Sequence, residues 1–344
     1  VDAVATRVEG AHRLPVAVSS LHGAGRVNEV LATSGFPVTV IPEQAVPDGR
    51  FPTVPGQVAN PERPEVFAFG RAQLTDEQLL FATDPDADRI GCMVRHQGQW
   101  VFLSGNQLAA VAIEAKLARH PRPSLVIHTE VSSRLLTRLA EARGVTVVNH
   151  LLVGFKYVAQ VMNDAKPGLF AAGAEESHGM LLDDCMRDKD AGGGALWIAI
   201  AALDALARGE TLVDRLAFYD DELGPVRNAQ VTRRFEGTQG REAMAALLER
   251  LRAEPPTTIG DAPVLAFVDH RDPSGVHGPI KGQSDFDARN VLVLTLEHGR
   301  VILRPSGTEP KLKVYLESSG SPGTPVAQVE AQLDGLRTAV DGLL

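Results

Sequence analysis

Residues 15–41 decide the fold: Pro15-Val16-Ala17-Val18, the loop Leu21-His22-Gly23-Ala24-Gly25, a helical stretch over 26–34, then Pro37-Val38-Thr39-Val40-Ile41. Two short apolar runs around one helix form a βαβ unit, which predicts a parallel or mixed sheet covered by helices. Working outward, 42–64 is rich in Pro and Gly and reads as an ordered loop. Leu79-Leu80-Phe81-Ala82 gives a further strand that runs straight into Thr83-Asp84-Pro85-Asp86-Ala87-Asp88-Arg89. A second α/β unit follows, with a helix over 107–119, a strand at Leu125-Val126-Ile127, a helix and strand reaching Val147-Val148, and a closing helix over 195–207. Within it, Leu169-Phe170-Ala171-Ala172 reads as a strand delivering Gly173-Ala174-Glu175-Glu176-Ser177-His178-Gly179 at its carboxyl end, where open α/β sheets place ligands. From about Pro225 the texture changes to β-like runs at 264–268, 291–296, 300–303 and 311–316, with helices near 241–252 and 325–343. The expected class is α/β: two consecutive mixed-sheet domains, 1–103 and 104–220, then a smaller α+β domain, 225–344.

Composition agrees with a large, soluble core. The 344 residues are 44% hydrophobic and 22% charged, with 34 Lys+Arg against 43 Asp+Glu and a formal net charge of −9. An acidic balance without Lys/Arg blocks argues against nucleic acid and anionic membrane as partners. The longest apolar stretches, such as 195–203, fall short of a bilayer span, and the expected location is cytoplasmic. Cys92 and Cys185 are too few and too far apart for a disulfide scaffold. The chain opens on Val1 close to a buried strand, which raises the expectation of something upstream.

Asp84, Asp86 and Asp88 alternate directly after a strand. Three adjacent carboxylates repel unless a cation neutralises them, and hard oxygen donors suit Mg²⁺. An EF-hand starting at Asp84 would need Gly at its sixth position and Glu at its twelfth, where Arg89 and Arg95 stand. The bland alternative is an acidic surface turn. Arg89 either meets a phosphate or merely balances charge.

The Glu175-Glu176-Ser177-His178 segment, flanked by glycines, suits hydrogen bonding to a polyol, with an unliganded polar loop as the equal alternative. Ser177 and His178 are adjacent and lack the G-x-S-x-G elbow, so they do not read as a nucleophile pair. Arg187-Asp188-Lys189-Asp190 is either a solvated charge run or the source of an acid/base, Lys189, provided burial or a neighbouring cation lowers its pKa. Arg304-Pro305-Ser306-Gly307-Thr308-Glu309-Pro310-Lys311 combines a guanidinium, two hydroxyls and a turn-forming Gly, which is how a single phosphate is gripped, against the alternative of a plain hairpin turn. Gly23-Ala24-Gly25 starts like a dinucleotide fingerprint, but Asn28 replaces the third Gly. Lys156 in Gly154-Phe155-Lys156-Tyr157 reads by default as exposed.

Taken together and in this order, these segments resemble the α-D-phosphohexomutase superfamily of phosphoglucomutases and phosphomannomutases, as do Leu21-His22-Gly23-Ala24-Gly25 and Phe51-Pro52-Thr53-Val54-Pro55. The resemblance covers nearly the whole chain. It implies that Asp84, Asp86 and Asp88 hold Mg²⁺, that Arg89 faces the transferred phosphoryl group and that Lys189 is an acid/base. It further implies that Glu175 and Ser177 meet sugar hydroxyls, and that Arg304, Ser306, Gly307 and Thr308, with Lys313 assisting, clamp the other phosphate of a phosphorylated sugar. That family has four domains, with a phosphoserine in the first. No Thr-Ala-Ser-His-Asn-Pro-like loop occurs here, so the match is to domains two to four, and the missing N-terminal domain is expected to pack on the first α/β domain. The implied activity interconverts hexose 1- and 6-phosphates, with hexose 1,6-bisphosphate as intermediate and activator; this chain alone is expected to be inactive. Glu175-Glu176 before Ser177 leans toward glucose over mannose or a pentose. Alternatives are a non-catalytic sugar-phosphate binding protein and a metal-dependent phosphatase.

Overall fold

In the computed structural model, which describes residues 7–235, 237–306 and 310–343, β1 (Val16–Ser19) lies wholly buried between β2 (Val38–Val40) and β3 (Leu79–Thr83) and is parallel to both. α1 (Val27–Thr33) provides the crossover between β1 and β2, as the βαβ pattern requires. Residues 42–67 wind through short 3-10 turns that each start on a proline, whose fixed φ suits a first helical position. The short α2 (Ala68–Arg71) leads to β3, and residues 84–89 then reverse the chain into β4 (Ile90–His96). A tight turn at Gln97-Gly98, both at positive φ, adds β5 (Gln99–Leu103). The sheet order is β2-β1-β3-β4-β5, parallel on one side and antiparallel on the other.

α3 (Gly105–Leu117) starts on a capping box, in which the Ser104 hydroxyl accepts from Gln107 N–H and the Gln107 side chain accepts from Ser104 N–H. It leads into β6 (Leu125–Thr129), α4 (Arg134–Ala142), β7 (Thr146–Leu151), α5 (Phe155–Asp164), β8 (Phe170–Ala174) and β9 (Met180–Leu181). Their sheet runs β7-β6-β8-β9, with β9 antiparallel at the edge. α6 (Ala191–Ala207) packs against α3 beside this second sheet and also against α1, β3 and β4 of the first. Because both sheets bury their faces on the same helix layer, they form one compact unit ending at Tyr219. α7 (Leu212–Leu223) spans the end of that unit.

The second unit begins at Asp220. It contains β10 (Val226–Arg234), α8 (Gly237–Ala253), β11 (Thr258–Ile259), β12 (Ala262–Asp269), α9 (Gln283–Ala288), β13 (Leu292–Leu296), β14 (Gly299–Pro305), β15 (Lys311–Ser319) and α10 (Val326–Leu343). The antiparallel sheet order is β10-β15-β14-β13-β12-β11. Leu247, Leu248 and Leu251 of α8 and Leu333, Leu336 and Val340 of α10 cover it, meeting Leu294, Val301, Leu303, Val314 and Leu316. Among the described residues, no helix is long and apolar enough to cross a membrane.

Candidate active site

β3 ends by placing Asp84 at 2% exposure, while Asp88 is half-buried and Asp86 exposed. One carboxylate oxygen from each lies within 4.8 Å of the others. Asp84 accepts the Arg89 backbone N–H at 3.1 Å and its Nε at 2.7 Å. Burial pushes the Asp84 carboxyl up to about 6, against the pull of Arg89. The loop is held from beneath by Gly23 and Gly25. A Cβ on Gly23 would stand 2.5 Å from Pro85 Cα, and one on Gly25 2.8 Å from Thr83 Oγ1. Ala24 N–H donates to Pro85 O at 2.8 Å. The two glycines that start like a dinucleotide fingerprint thus serve close packing, Gly23 against the Pro85 backbone and Gly25 against the Thr83 and Ala87 side chains.

Arg89 is held on a second side, donating to Glu62 at 2.8 Å and Asn60 at 3.4 Å. Its backbone forms a β-bridge with Gly179, and Ile90 N–H donates to His178 O at 3.0 Å. His178 is buried, and burial pulls its pKa down to about 4, so its imidazole is neutral at pH 7. Its Nδ1 lies 3.1 Å from Ile90 O, which can only accept, so Nδ1 carries the proton. The imidazole joins two loops and is not set against Ser177.

At the carboxyl end of β8, Glu175 N–H donates to Gly179 O at 2.9 Å and its Oε1 accepts from Gly154 N–H at 3.1 Å. Burial, aided by Glu176, pushes the Glu175 carboxyl up to about 7. Ser177 is half-buried in the same turn. Gly105, at the start of α3, lies so close beneath it that a Cβ would stand 2.3 Å from Glu176 O and 2.6 Å from His178 N.

The 187–190 segment is a joint between these loops. Lys189 Nζ lies 3.0 Å from Asp88 Oδ2 and 3.0 Å from Asp188 Oδ1, over the Phe155 ring at 5.4 Å. Asp190 caps α6 by accepting from Gly192 and Gly193 N–H, and its own N–H donates to Met180 O. Ala191 N–H donates to Ala87 O at 3.1 Å. The condition set for Lys189 as an acid/base, a pKa lowered by burial or a neighbouring cation, is not met. Burial alone would lower it, but Asp88 and Asp188 outweigh that and raise it, so Lys189 is an ammonium at neutral pH.

In the second unit, Arg304 on β14 stands directly opposite Lys313 on β15, and Lys311 stands opposite Arg234 on β10. Like charges directly opposite each other across strands are unfavourable on their own. Ser306 N–H donates to Lys311 O at 2.8 Å. Gly307 and Thr308 lie outside the described residues. Lys156 is exposed, over the Tyr157 ring.

The first unit therefore gathers the loops carrying Asp84, Asp86, Asp88, Arg89, Glu175, Ser177 and Lys189 by backbone and side-chain bonds, while Arg304 and Ser306 sit in the second. Sequence reasoning missed Asn60, Glu62 and Gly105; Glu62 carries no local signal, since its partner lies 27 residues away. Three hard oxygen donors within one short loop, one oxygen of each within 4.8 Å of the others, fit a small divalent cation such as Mg²⁺, which would share Asp84 and Asp88 with Arg89 and Lys189.

Comparison with known proteins places these loops in a family. Residues 1–98 match "Phosphoglucomutase/phosphomannomutase, alpha/beta/alpha domain II", residues 104–221 its alpha/beta/alpha domain III, and residues 272–334 its C-terminal domain. A phosphoglucomutase of Staphylococcus haemolyticus is 35% identical over 316 residues, covering 88% of this chain and 57% of its own length. One of Staphylococcus saprophyticus is 32% identical over 330 residues, covering 89% and 57%. The chain thus spans little more than half of these curated relatives. The fold is shared with a phosphoglucomutase/phosphomannomutase family protein from Burkholderia thailandensis, at a TM-score of 0.61, 19% identity, and 96% and 60% coverage. It is also shared with pp63/parafusin from Paramecium, at 0.63, 17%, and 95% and 57%.

Proposed function

The chain belongs to the phosphoglucomutase/phosphomannomutase family, and we propose that it forms the metal-, sugar- and phosphate-handling part of a phosphohexomutase that interconverts hexose 1- and 6-phosphates. Glucose is the preferred sugar in this reading, and its domains are 1–103, 104–220 and 225–344. The observation that carries it is the junction in which Lys189 touches Asp88 of the carboxylate loop while Glu175 lies beside it. A cation site, a proton donor and a hydroxyl-binding carboxyl are thereby held within one hydrogen-bonded assembly.

Phosphoryl transfer needs charge neutralisation and in-line positioning more than covalent chemistry from the protein. Mg²⁺ held by Asp84, Asp86 and Asp88 would offset charge on the phosphoryl oxygens. Arg89, aligned by Asp84, Glu62 and Asn60, faces the transferring group. Lys189, kept protonated by two carboxylates, donates to the oxygen that leaves. Glu175 and Ser177 bind sugar hydroxyls, and Glu175 can change protonation near pH 7. Arg304 and Ser306, with Gly307, Thr308 and Lys313, hold the phosphate that does not react.

The phosphoryl donor in this scheme is a serine in a further domain that packs on the first α/β domain. Transfer to a hexose phosphate gives the 1,6-bisphosphate, which also serves as activator, and the serine recovers phosphate from the other end. The test is conversion of glucose 1-phosphate to glucose 6-phosphate by the full-length gene product with Mg²⁺ and glucose 1,6-bisphosphate. Turnover there, lost in Asp86→Asn, supports the reading. Bisphosphate binding without turnover in the longer form would leave only a binding protein.

A further inference from the structure

A cavity of ≈ 240 Å³ lies between α3, α6 and α7 in the first unit. Its walls carry Arg122, Arg143, Arg208 and Arg215 against only Glu114 and Asp204. Asp204 is already chelated by Arg119, at 2.9 and 2.8 Å. Glu114 takes Arg143 at 2.7 Å, Arg215 at 3.2 Å and the Tyr219 hydroxyl, which hold its carboxyl below the usual range despite burial. Arg208 turns to Glu210 at 3.0 Å, a carboxylate that Arg215 also approaches at 3.6 Å. Arg122 donates to the Arg143 carbonyl and, among the described residues, has no carboxylate partner. Arg215 Nε is buried without any hydrogen-bond acceptor.

Arginines near helix ends commonly satisfy the last carbonyls and the dipole. That explains Arg119, which donates to Ala115 O, and the positions of Arg143 and Arg208 at the ends of α4 and α6. It does not explain the orphaned Nε of Arg215, a buried donor in a residue that lines the cavity and costly to leave unmade. Guanidiniums reaching one cavity from four segments suit a tetrahedral anion better than a planar carboxylate, because a phosphoryl group accepts in several directions.

We propose that this cavity binds a small phosphoryl dianion, inorganic phosphate or a compact phosphomonoester, at a second anion site. It is separate from the Asp84 loop: α3 begins at Gly105 against residues 176 and 178, and Glu114 lies nine residues further, about 13 Å along the helix.

The experiment records arginine Nε–Hε NMR signals of the chain carrying Arg304→Gln, which weakens the other phosphate-binding turn, during titration with inorganic phosphate and with glycerol 3-phosphate. The expected result is a saturable shift that Arg122→Gln weakens at least tenfold. Arg122 sits at the surface, so this variant decides the matter if Arg215→Gln fails to fold. Tighter binding of glycerol 3-phosphate points to a phosphomonoester, and the reverse order to free phosphate. An absent or non-saturable shift, equal binding of citrate, or indifference to Arg122→Gln overturns the proposal.

Discussion

Lys189 Nζ stands 3.0 Å from Asp88 Oδ2, so a residue just before α6 closes onto the carboxylate loop that follows β3. This ion pair couples what the sequence presents as two separate charged segments. Lys189→Gln keeps length and polarity but cannot donate as an acid. Turnover of glucose 1-phosphate by the full-length product should fall roughly 10²- to 10⁴-fold, as for loss of a general acid. A steady-state assay reads it, and a loss under threefold would remove Lys189 from the chemistry.

The carboxylate loop should respond to metal in a way the rest of the fold does not. At 100 times the dissociation constant, Mg²⁺ should stabilise the chain by about 2.7 kcal/mol. Thermal melting with and without EDTA measures this, and Asp86→Asn should abolish most of the shift. Asp84→Ala should also cost roughly 1–3 kcal/mol without metal, because half-buried Arg89 loses its closest partner while keeping Glu62 and Asp88. Equal melting of Asp84→Ala and the parent chain would argue against that pair.

Glu175 supplies a pH signature. Burial raises its pKa from 4.5 to about 7. The folded state therefore binds more protons than the unfolded state between these values, and stability falls as pH rises from about 4.5 to 7, then levels off. The full penalty above pH 7 is about 3 kcal/mol. Asp84, with its carboxyl at about 6, adds a slope of the same sign, and His178, pulled down to about 4, adds one of opposite sign up to about pH 6.5, so the Glu175 contribution is read as the difference between the chain and Glu175→Gln. Urea denaturation at pH 5 and pH 8 measures it; an unchanged difference in Glu175→Gln would refute the assignment.

Gly105→Ala tests close packing under the sugar loop. Alanine favours a helix start over glycine by up to about 1 kcal/mol. Its Cβ would nevertheless meet Glu176 O at 2.3 Å, a backbone atom that cannot rotate away. The variant should lose about 1–3 kcal/mol of stability and weaken binding of glucose 1,6-bisphosphate, read by calorimetry. A more stable variant with unchanged binding would show the loop to be pliable.

The amino-acid order alone determined the βαβ start, the mixed α/β class and the three charged segments, because these rest on local periodicity, turn chemistry and short spacings. Val16-Ala17-Val18 before a helix, and Asp84, Asp86 and Asp88 after a strand, are legible within a dozen residues. Tertiary structure decided which segments meet. Glu62 reaches Arg89 across 27 positions, Gly105 lies under residues 176 and 178, and Lys189 carries a raised pKa because Asp88 comes to it from another sheet. Pairings across long loops, and the desolvation that shifts a proton affinity, depend on where the backbone returns, and no local pattern encodes that.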